Sequence, residues 1–167
     1  HIGYFQSTLE TRGSNGQADR LEIEHGVTIV ATGGVETRSA PQLQYPGTIT
    51  QRDFEEMFIH DPERIAALKK VVMILCVGPE GVATYCSRVC CTNAIKNAIR
   101  LKLFNPACQV VVLYKNIVTY GFREEYYTDA RRKGVIFIRF EEDDPPQIAF
   151  NPVLNQLTVQ VRDPGVD

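Results

Sequence analysis

Four cysteines lie close together in the middle of the chain, and their side chains have the clearest capacity for chemistry. Cys76 lies in the apolar segment VVMILCV, and Cys86, Cys90 and Cys91 lie in the segment YCSRVCC, so that the four span sixteen residues. Thiolate sulfur binds soft metal ions and iron–sulfur clusters. Two neighbouring thiols can instead exchange electrons as a dithiol and a disulfide.

The spacing C-x9-C-x3-C-C favours a large ligand over a single metal ion. Cys86 and Cys90 are four residues apart, so a helix would place them one turn apart on the same side. Cys91 would be rotated from Cys90 by about 100°, so all three face one ligand only if the helix begins irregularly or the ligand is large. A zinc ion needs its ligands at about 2.3 Å from one point, whereas a cubane iron–sulfur cluster takes four thiolates around its corners. Cys76 at the end of a strand and three cysteines at the start of the next helix therefore form a candidate ligand set, and a helix N-terminus favours thiolate.

Two other interpretations of these cysteines stay open at this point. Free cysteine is among the most buried residue types, so some of the four could simply be part of the core. The adjacent pair Cys90 and Cys91 could be a redox dithiol. The fifth cysteine, Cys108, stands apart before an apolar segment, and we interpret it as a core residue.

Composition places the chain among ordinary soluble globular proteins. It has 167 residues, 44% of them hydrophobic and 23% charged, with a net charge of −2. That charge gives no reason to expect nucleic acid as a partner, and the apolar segment VVMILCV is too short to span a membrane. The N-terminal segment lacks the features of a signal peptide. Clustered cysteines in a chain rich in Val, Ile and Leu favour a reducing cytoplasm over a secreted disulfide scaffold.

The first part of the chain is predicted to be β-rich. The segments GYFQSTLET and ADRLEIEHG alternate in polarity around the turn residues RGSNGQ, which predicts a hairpin. GVTIVATGG is predicted to be a short apolar strand that ends in glycines. Further on, Thr50 is predicted to cap a helix with Asp53 as its capping-box partner, and Asp61 and Pro62 to begin another.

The second half alternates between apolar strands and helices. The predicted strands are KVVMILCVG, which is expected to be buried on both faces, NPACQVVVLYK and VIFIRF. The predicted helices are CSRVCCTNAIKNAIRLKLF and FREEYYTDARRKG, and the last predicted strand is LTVQVRD. This order predicts an α/β fold: a Rossmann-like parallel sheet with crossover helices, preceded by a β-hairpin. We place the domain boundary between 1–49, which is β-rich, and 50–167, which contains the cysteines. The turn after the first parallel strand lacks G-x-G-x-x-G, which argues against ordinary dinucleotide binding there.

The segments VVMILCVG, YCSRVCC and YGFREEYY together resemble the A subunit of CoB–CoM heterodisulfide reductase and its relatives. The resemblance covers nearly the whole chain. Members of that family are iron–sulfur flavoproteins whose thioredoxin-reductase-like core holds FAD and which pass electrons among clusters through the flavin. The resemblance implies a 4Fe–4S cluster on Cys76, Cys86, Cys90 and Cys91. It also implies that residues 1–49 are a β-rich remnant of the FAD-binding domain.

The resemblance also suggests residues that contact FAD. Ala31, Thr32 and Gly33 match the short ATG motif that brings the backbone against FAD in flavoproteins with two dinucleotide domains, although a tight turn would explain them equally. Lys96 could place a positive charge beside the reduced flavin, or it could be a solvated helix residue. The family's initial G-x-G-x-x-G and its ferredoxin-like cysteine sets are not in this sequence. We therefore interpret the chain as a central fragment of the pyridine nucleotide-disulfide oxidoreductase-like core, inactive by itself and able to lack both cofactors.

The function implied by the resemblance is electron relay between the cluster and FAD toward disulfide reduction. The implied partners are other heterodisulfide reductase subunits and an electron-donating hydrogenase or dehydrogenase, with a homo-oligomer also considered. Two functions from other classes remain as alternatives. One is a degenerate nucleotide-binding or subunit-interaction module with structural cysteines, and the other is a dithiol–disulfide oxidoreductase.

Overall fold

The computed structural model describes residues 3–12, 18–36, 38, 40–78 and 86–165. The chain divides into two compact units, His1–Glu36 and Thr37–Asp167. The first unit is a hairpin with the segment that follows it, and the second contains the helices and the other strands.

The first unit contains the predicted hairpin. Strands β1 (Phe5–Arg12) and β2 (Ala18–His25) pair in antiparallel register, with Leu9 opposite Leu21. The predicted turn lies almost entirely outside the described residues. The alternation of the sequence puts Phe5, Leu9, Leu21 and Ile23 on one face, but these side chains remain 38–58% exposed.

The segment after the hairpin differs from its prediction. Residues 27–36 form no strand, and their side chains are exposed, among them Ile29 and Val30. A strand needs a neighbour to satisfy its backbone N–H and C=O groups, and among the described residues this segment pairs with neither β1 nor β2, which pair with each other. The prediction of a strand for GVTIVATGG was therefore wrong.

The second unit begins with short helices. A 3-10 helix (Pro41–Gln44) precedes α1 (Gln51–His60) and α2 (Pro62–Ala67). The predicted capping box of α1 is present, because the Thr50 side chain accepts from the Asp53 N–H at 3.2 Å and the Asp53 carboxylate accepts from the Thr50 N–H at 3.3 Å. At α2 a single bond forms the cap, because the Asp61 side chain accepts from the Arg64 N–H.

A parallel sheet follows, which confirms the predicted α/β fold. Its elements in chain order are β3 (Lys70–Ile74), α3 (Val89–Phe104), β4 (Gln109–Tyr114), α4 (Arg123–Arg132) and β5 (Ile136–Arg139). The strands lie in the order β3-β4-β5 and all pairs are parallel. The carboxyl ends of the three strands therefore meet at one edge of the sheet, where loops of α/β folds commonly form ligand sites.

The core lies between this sheet and the helices. β4 is the central strand and buries Val110, Val112 and Leu113, whereas β3 is an edge strand that fully buries only Met73. The expectation that the first parallel strand would be buried on both faces was wrong for this reason. The buried side chains that α3 adds to the core are Cys91, Ala94, Ile95, Ala98 and Leu101.

A separate two-stranded sheet follows β5. Strands β6 (Gln147–Asn151) and β7 (Gln156–Gln160) pair in antiparallel register. β7 matches the predicted last strand. β6 was not predicted, because it begins at the last residue of the DDPPQ segment, which we interpreted only as a chain break.

Candidate functional site

Cys76 lies just beyond the carboxyl end of β3. The ladder continues to Leu75, whose N–H donates to the Leu113 carbonyl at 2.8 Å. Cys76 itself has a φ of 60°, a left-handed conformation that non-glycine residues seldom adopt. The chain therefore leaves the sheet at Cys76, and the residue lies at the edge where the strand ends meet.

Two further cysteines lie in the first turn of α3. The helix begins at Val89, one residue after Arg88, which has a φ of 59° and provides no side-chain cap. Cys91 is fully buried and Cys90 is half-buried. The uncapped N-terminus leaves backbone N–H groups of the first turn available to an anion, such as a thiolate.

Cys86 differs from its prediction. We expected it in the helix, one turn before Cys90, but it precedes α3 and is exposed. The left-handed backbone at Arg88 interrupts the helical path, so Cys86 and Cys90 do not share a helix face. An irregular start of the helix was one of the two conditions under which the three cysteines could face one ligand.

The loop after β4 joins the sulfur atoms of Cys76 and Cys91. The Cys76 thiol lies 3.4 Å from the carbonyl oxygen of Asn116, and the Cys91 thiol lies 3.8 Å from the same oxygen. In addition, the Val118 N–H donates to Cys91 Sγ at 3.4 Å. Sequence analysis missed this loop, although parallel pairing of β3 and β4 would have placed the two strand ends side by side.

Cys90 and Cys91 interact directly and shift each other's pKa in opposite directions. A hydrogen bond from the Cys91 thiol is the main reason that the pKa of Cys90 falls to about 6, with a further contribution from Ser87. The same bond, together with burial, raises the pKa of Cys91. Because Cys91 has a single S–H, it can donate either to Cys90 or to Asn116. The pair therefore favours one thiolate near neutral pH, the form that binds metal or attacks a disulfide.

The described cysteines do not form a site for a single metal ion. In the described part of the chain, no three or more side chains of His, Cys, Asp or Glu are grouped so that they could hold one metal ion. A zinc site requires such convergence, whereas an iron–sulfur cluster takes its thiolates at separate corners. Cys76 and Cys91 both contact the Asn116 carbonyl at the edge of the sheet. Cys90 adjoins Cys91 in the first turn of α3, and Cys86 is exposed.

Lys96 and its neighbour Asn97 face α1. Lys96 Nζ lies 2.8 Å from Glu55 Oε1, and the fully buried Asn97 donates to Glu55 Oε1 at 3.2 Å and to Gln51 Oε1 at 2.8 Å. Burial opposes ionisation of Glu55, but the hydrogen bonds from Lys96 and Asn97 outweigh it and lower the pKa of Glu55. Sequence analysis did not identify Asn97. Its spacing along the helix indicates that it faces inward but not that it bonds to Gln51 and Glu55 on α1.

The three residues of the ATG motif lie in the first unit. Ala31, Thr32 and Gly33 are exposed and belong to no strand, and Gly33 has a φ of 69°. The left-handed backbone at Gly33 does not distinguish between the two interpretations of the motif. Its role in FAD binding stays a prediction.

Curated proteins similar to this chain are A subunits of heterodisulfide reductases. The A subunit of the "H(2)/formate:CoB-CoM heterodisulfide,ferredoxin reductase" of Methanococcus maripaludis is 36% identical over 162 residues, which cover 86% of this chain and 24% of that protein. The chain is a homologue of a segment of heterodisulfide reductase A subunits. No protein-family model matches the chain.

Two further A subunits show the same extent of similarity. The A subunit of the "H(2):CoB-CoM heterodisulfide,ferredoxin reductase" of Methanothermobacter thermautotrophicus is 32% identical over 88% of this chain and 25% of its own length. An iron-sulfur A subunit of the "CoB--CoM heterodisulfide reductase" of Methanopyrus kandleri is 31% identical over 88% of this chain and 25% of its own length. The resemblance to heterodisulfide reductase A subunits is confirmed, and the chain spans about a quarter of the length of these relatives. Among the described helices, none has the length and apolar character needed to cross a bilayer.

Proposed function

We propose that the chain is the electron-transfer portion of a heterodisulfide reductase A-type oxidoreductase and relays electrons between a 4Fe–4S cluster and FAD. Cys76, Cys86, Cys90 and Cys91 would hold the cluster. The observation that carries the proposal is the approach of Cys76 and Cys91 to the Asn116 carbonyl at the edge of the sheet, with Cys90 next to Cys91 in the first turn of α3. The Methanopyrus kandleri relative, which is named an iron-sulfur protein, supports the same assignment.

The surrounding residues hold Cys76 and Cys91 in place and favour the thiolate at Cys90. When bound, the cluster supplies one-electron redox chemistry. The Cys91 thiol hydrogen-bonds Cys90 and lowers its pKa to about 6, so Cys90 is available as thiolate at neutral pH. The N–H of Val118 donates to Cys91 Sγ, and such hydrogen bonds favour negative charge on sulfur. The burial of Cys91 excludes water from that side of the site.

Ala31, Thr32, Gly33 and Lys96 are the proposed FAD contacts. Lys96 is 54% exposed and pairs with Glu55, so its ammonium group stays beside the middle of α1 while remaining open to a ligand. A positive charge there would stabilise an anionic reduced flavin. The exposed backbone of the ATG segment leaves room for FAD to approach it closely.

The activity of the whole protein lies beyond this chain. The proposed partners are the other heterodisulfide reductase subunits and an electron-donating hydrogenase or dehydrogenase, and the proposed end of the electron path is disulfide reduction. We expect the 167-residue chain to have no turnover without them. The proposed location is the cytoplasm, where thiols stay reduced.

A dithiol–disulfide role is the second candidate function. It is favoured by the direct hydrogen bond between Cys91 and Cys90 and the low pKa that results at Cys90. A low-pKa thiolate beside a second thiol is the usual arrangement of a redox-active pair. This role requires no metal, so iron content distinguishes it from the first.

Iron and acid-labile sulfide per chain test the proposal. The protein is prepared and reconstituted without oxygen, and a visible spectrum is recorded. We expect about four irons per chain, and loss of them in Cys91→Ala. Cys108→Ala is the matched control, because Cys108 is as buried as Cys91 but lies outside the site. A folded wild-type chain that takes up no iron would refute the cluster and leave the dithiol as the better account.

A further inference from the structure

A small cavity lies beside Cys76 at the edge where the three parallel strands end. Its volume is about 150 Å³, and its lining includes Cys76 after β3, Lys115 after β4 and Phe140 after β5. Glu142, from the loop that follows β5, lines it as well. One thiol, one ammonium group and one carboxylate therefore surround the same small space.

Lys115 and Glu142 form an ion pair at this cavity. Lys115 Nζ lies 2.8 Å from Glu142 Oε1, and the side chains are 31% and 83% exposed. The hydrogen bond to Glu142 raises the pKa of Lys115, and the neighbouring Cys76 contributes in the same direction. Lys115 thus carries a permanent positive charge that is partly covered by protein, while its acidic partner is largely in water.

The difference in exposure makes the two charges unequal in effect. Water screens an exposed charge strongly, whereas a charge that is partly covered by protein acts over a greater distance. Lys115 directly follows β4, so the sheet fixes its backbone, and Glu142 lies on a loop. At Cys76, the positive charge of Lys115 should therefore outweigh the negative charge of Glu142.

We infer that Lys115 places its charge beside the Cys76 ligand and raises the reduction potential of the proposed cluster, while Glu142 offsets part of this effect. The inference rests on the proposed function. Reduction adds one negative charge to the site without forming or breaking a bond, and a nearby cation stabilises that added charge. Lys115 would thus act on the cluster through its charge alone and would not bind iron.

Single substitutions at the two residues should shift the potential in opposite directions. The reconstituted 167-residue chain is titrated with a chemical reductant, which supplies the electron, and the midpoint potential is followed by electron paramagnetic resonance. Lys115→Met removes the cation and should lower the potential. Glu142→Gln leaves the cation unopposed and should raise it. The double variant should lie between the two single variants.

A second ion pair provides the control. Lys133, the residue after α4, has the same side-chain exposure as Lys115, 31%. Its ammonium nitrogen lies 3.0 Å from the carboxylate of Asp129 on α4. Lys133→Met should leave the potential unchanged. If Lys115→Met shifts the potential no more than Lys133→Met, or if Glu142→Gln shifts it downward, the inference is wrong while the cluster stands. If the wild-type chain takes up no iron, the proposed function itself fails.

Discussion

The two units of the chain use the same kind of sequence signal with opposite results. In the hairpin, alternation produces an apolar face that stays exposed, with Leu21 at 58%. In the second unit, apolar residues at strand and helix spacing form a core in which Leu101 and Val110 are fully buried. A two-stranded hairpin has no second layer against which to bury its face, whereas the parallel sheet is covered by helices.

The cysteines lie in the unit that has a packed core. All five cysteines lie in the second unit. A set of metal ligands needs a rigid backbone, and the edge of a packed sheet provides one. The hairpin lacks such support, so we expect its stability to depend little on its apolar side chains.

Leucine truncation should produce the largest contrast between the units. Leu101→Ala removes a fully buried side chain from α3 and should lower the free energy of unfolding by about 2–5 kcal/mol. Leu21→Ala removes an exposed side chain from the hairpin and should change it by less than about 0.5 kcal/mol. Urea unfolding followed by circular dichroism measures both. Equal losses would mean that the hairpin face is covered in solution.

A change at Cys91 should have the next largest effect, and it tests whether the second unit fixes its thiols. In the metal-free protein, the alkylation rate of Cys90 should rise with a midpoint near its pKa of about 6. Cys91→Ala removes the hydrogen bond that lowers this pKa, so the midpoint should move up by about two pH units, toward ordinary thiols. Mass spectrometry of the Cys90 peptide across pH provides the measurement.

Cys108 is the internal reference in the same experiment. It is buried, and its pKa is raised by that burial, so it should react slowly at every pH where the protein is folded. A midpoint for Cys90 that does not move in Cys91→Ala would contradict the hydrogen bond between the two thiols.

The smallest expected effect compares a threonine in each unit. Thr50 caps α1 through its bond from the Asp53 N–H, so Thr50→Ala should cost about 1 kcal/mol of unfolding free energy. Thr28 is an exposed residue after the hairpin whose hydroxyl lies 3.5 Å from His25 Nδ1, so Thr28→Ala should cost much less. Thermal unfolding of both variants is the measurement, and Thr50→Ser should restore most of the loss. A cost for Thr28→Ala as large as that for Thr50→Ala would show that residues after the hairpin also support the cooperative fold.

Local signals predicted most of the fold. Polar–apolar alternation gave the hairpin, the β-α-β-α-β order gave the parallel sheet, and Thr50 with Asp53 gave the start of α1. The failures occurred where the outcome depends on distant partners. The segment 27–36 has the composition of a strand but pairs with no strand among the described residues. Strand β3 is less buried than predicted because it lies at the edge of its sheet.

The candidate site shows the same limit. Spacing selected Cys76, Cys86, Cys90 and Cys91, but it placed Cys86 in a helix that begins only after Arg88. Nothing in the local sequence indicated Asn116, because a backbone carbonyl is common to every residue and only its position makes it an acceptor for thiols.

By itself, the sequence determined which residues could do chemistry and which elements would carry them, since side-chain type and spacing along one strand or helix are local properties. Tertiary structure alone decided which thiols meet. Asn116 is 40 residues from Cys76 and 25 from Cys91, and only the parallel pairing of β3 with β4 brings the three together. The charges of Lys115 and Glu142, 27 residues apart, reach the same cavity for the same reason: the ends of neighbouring parallel strands lie side by side.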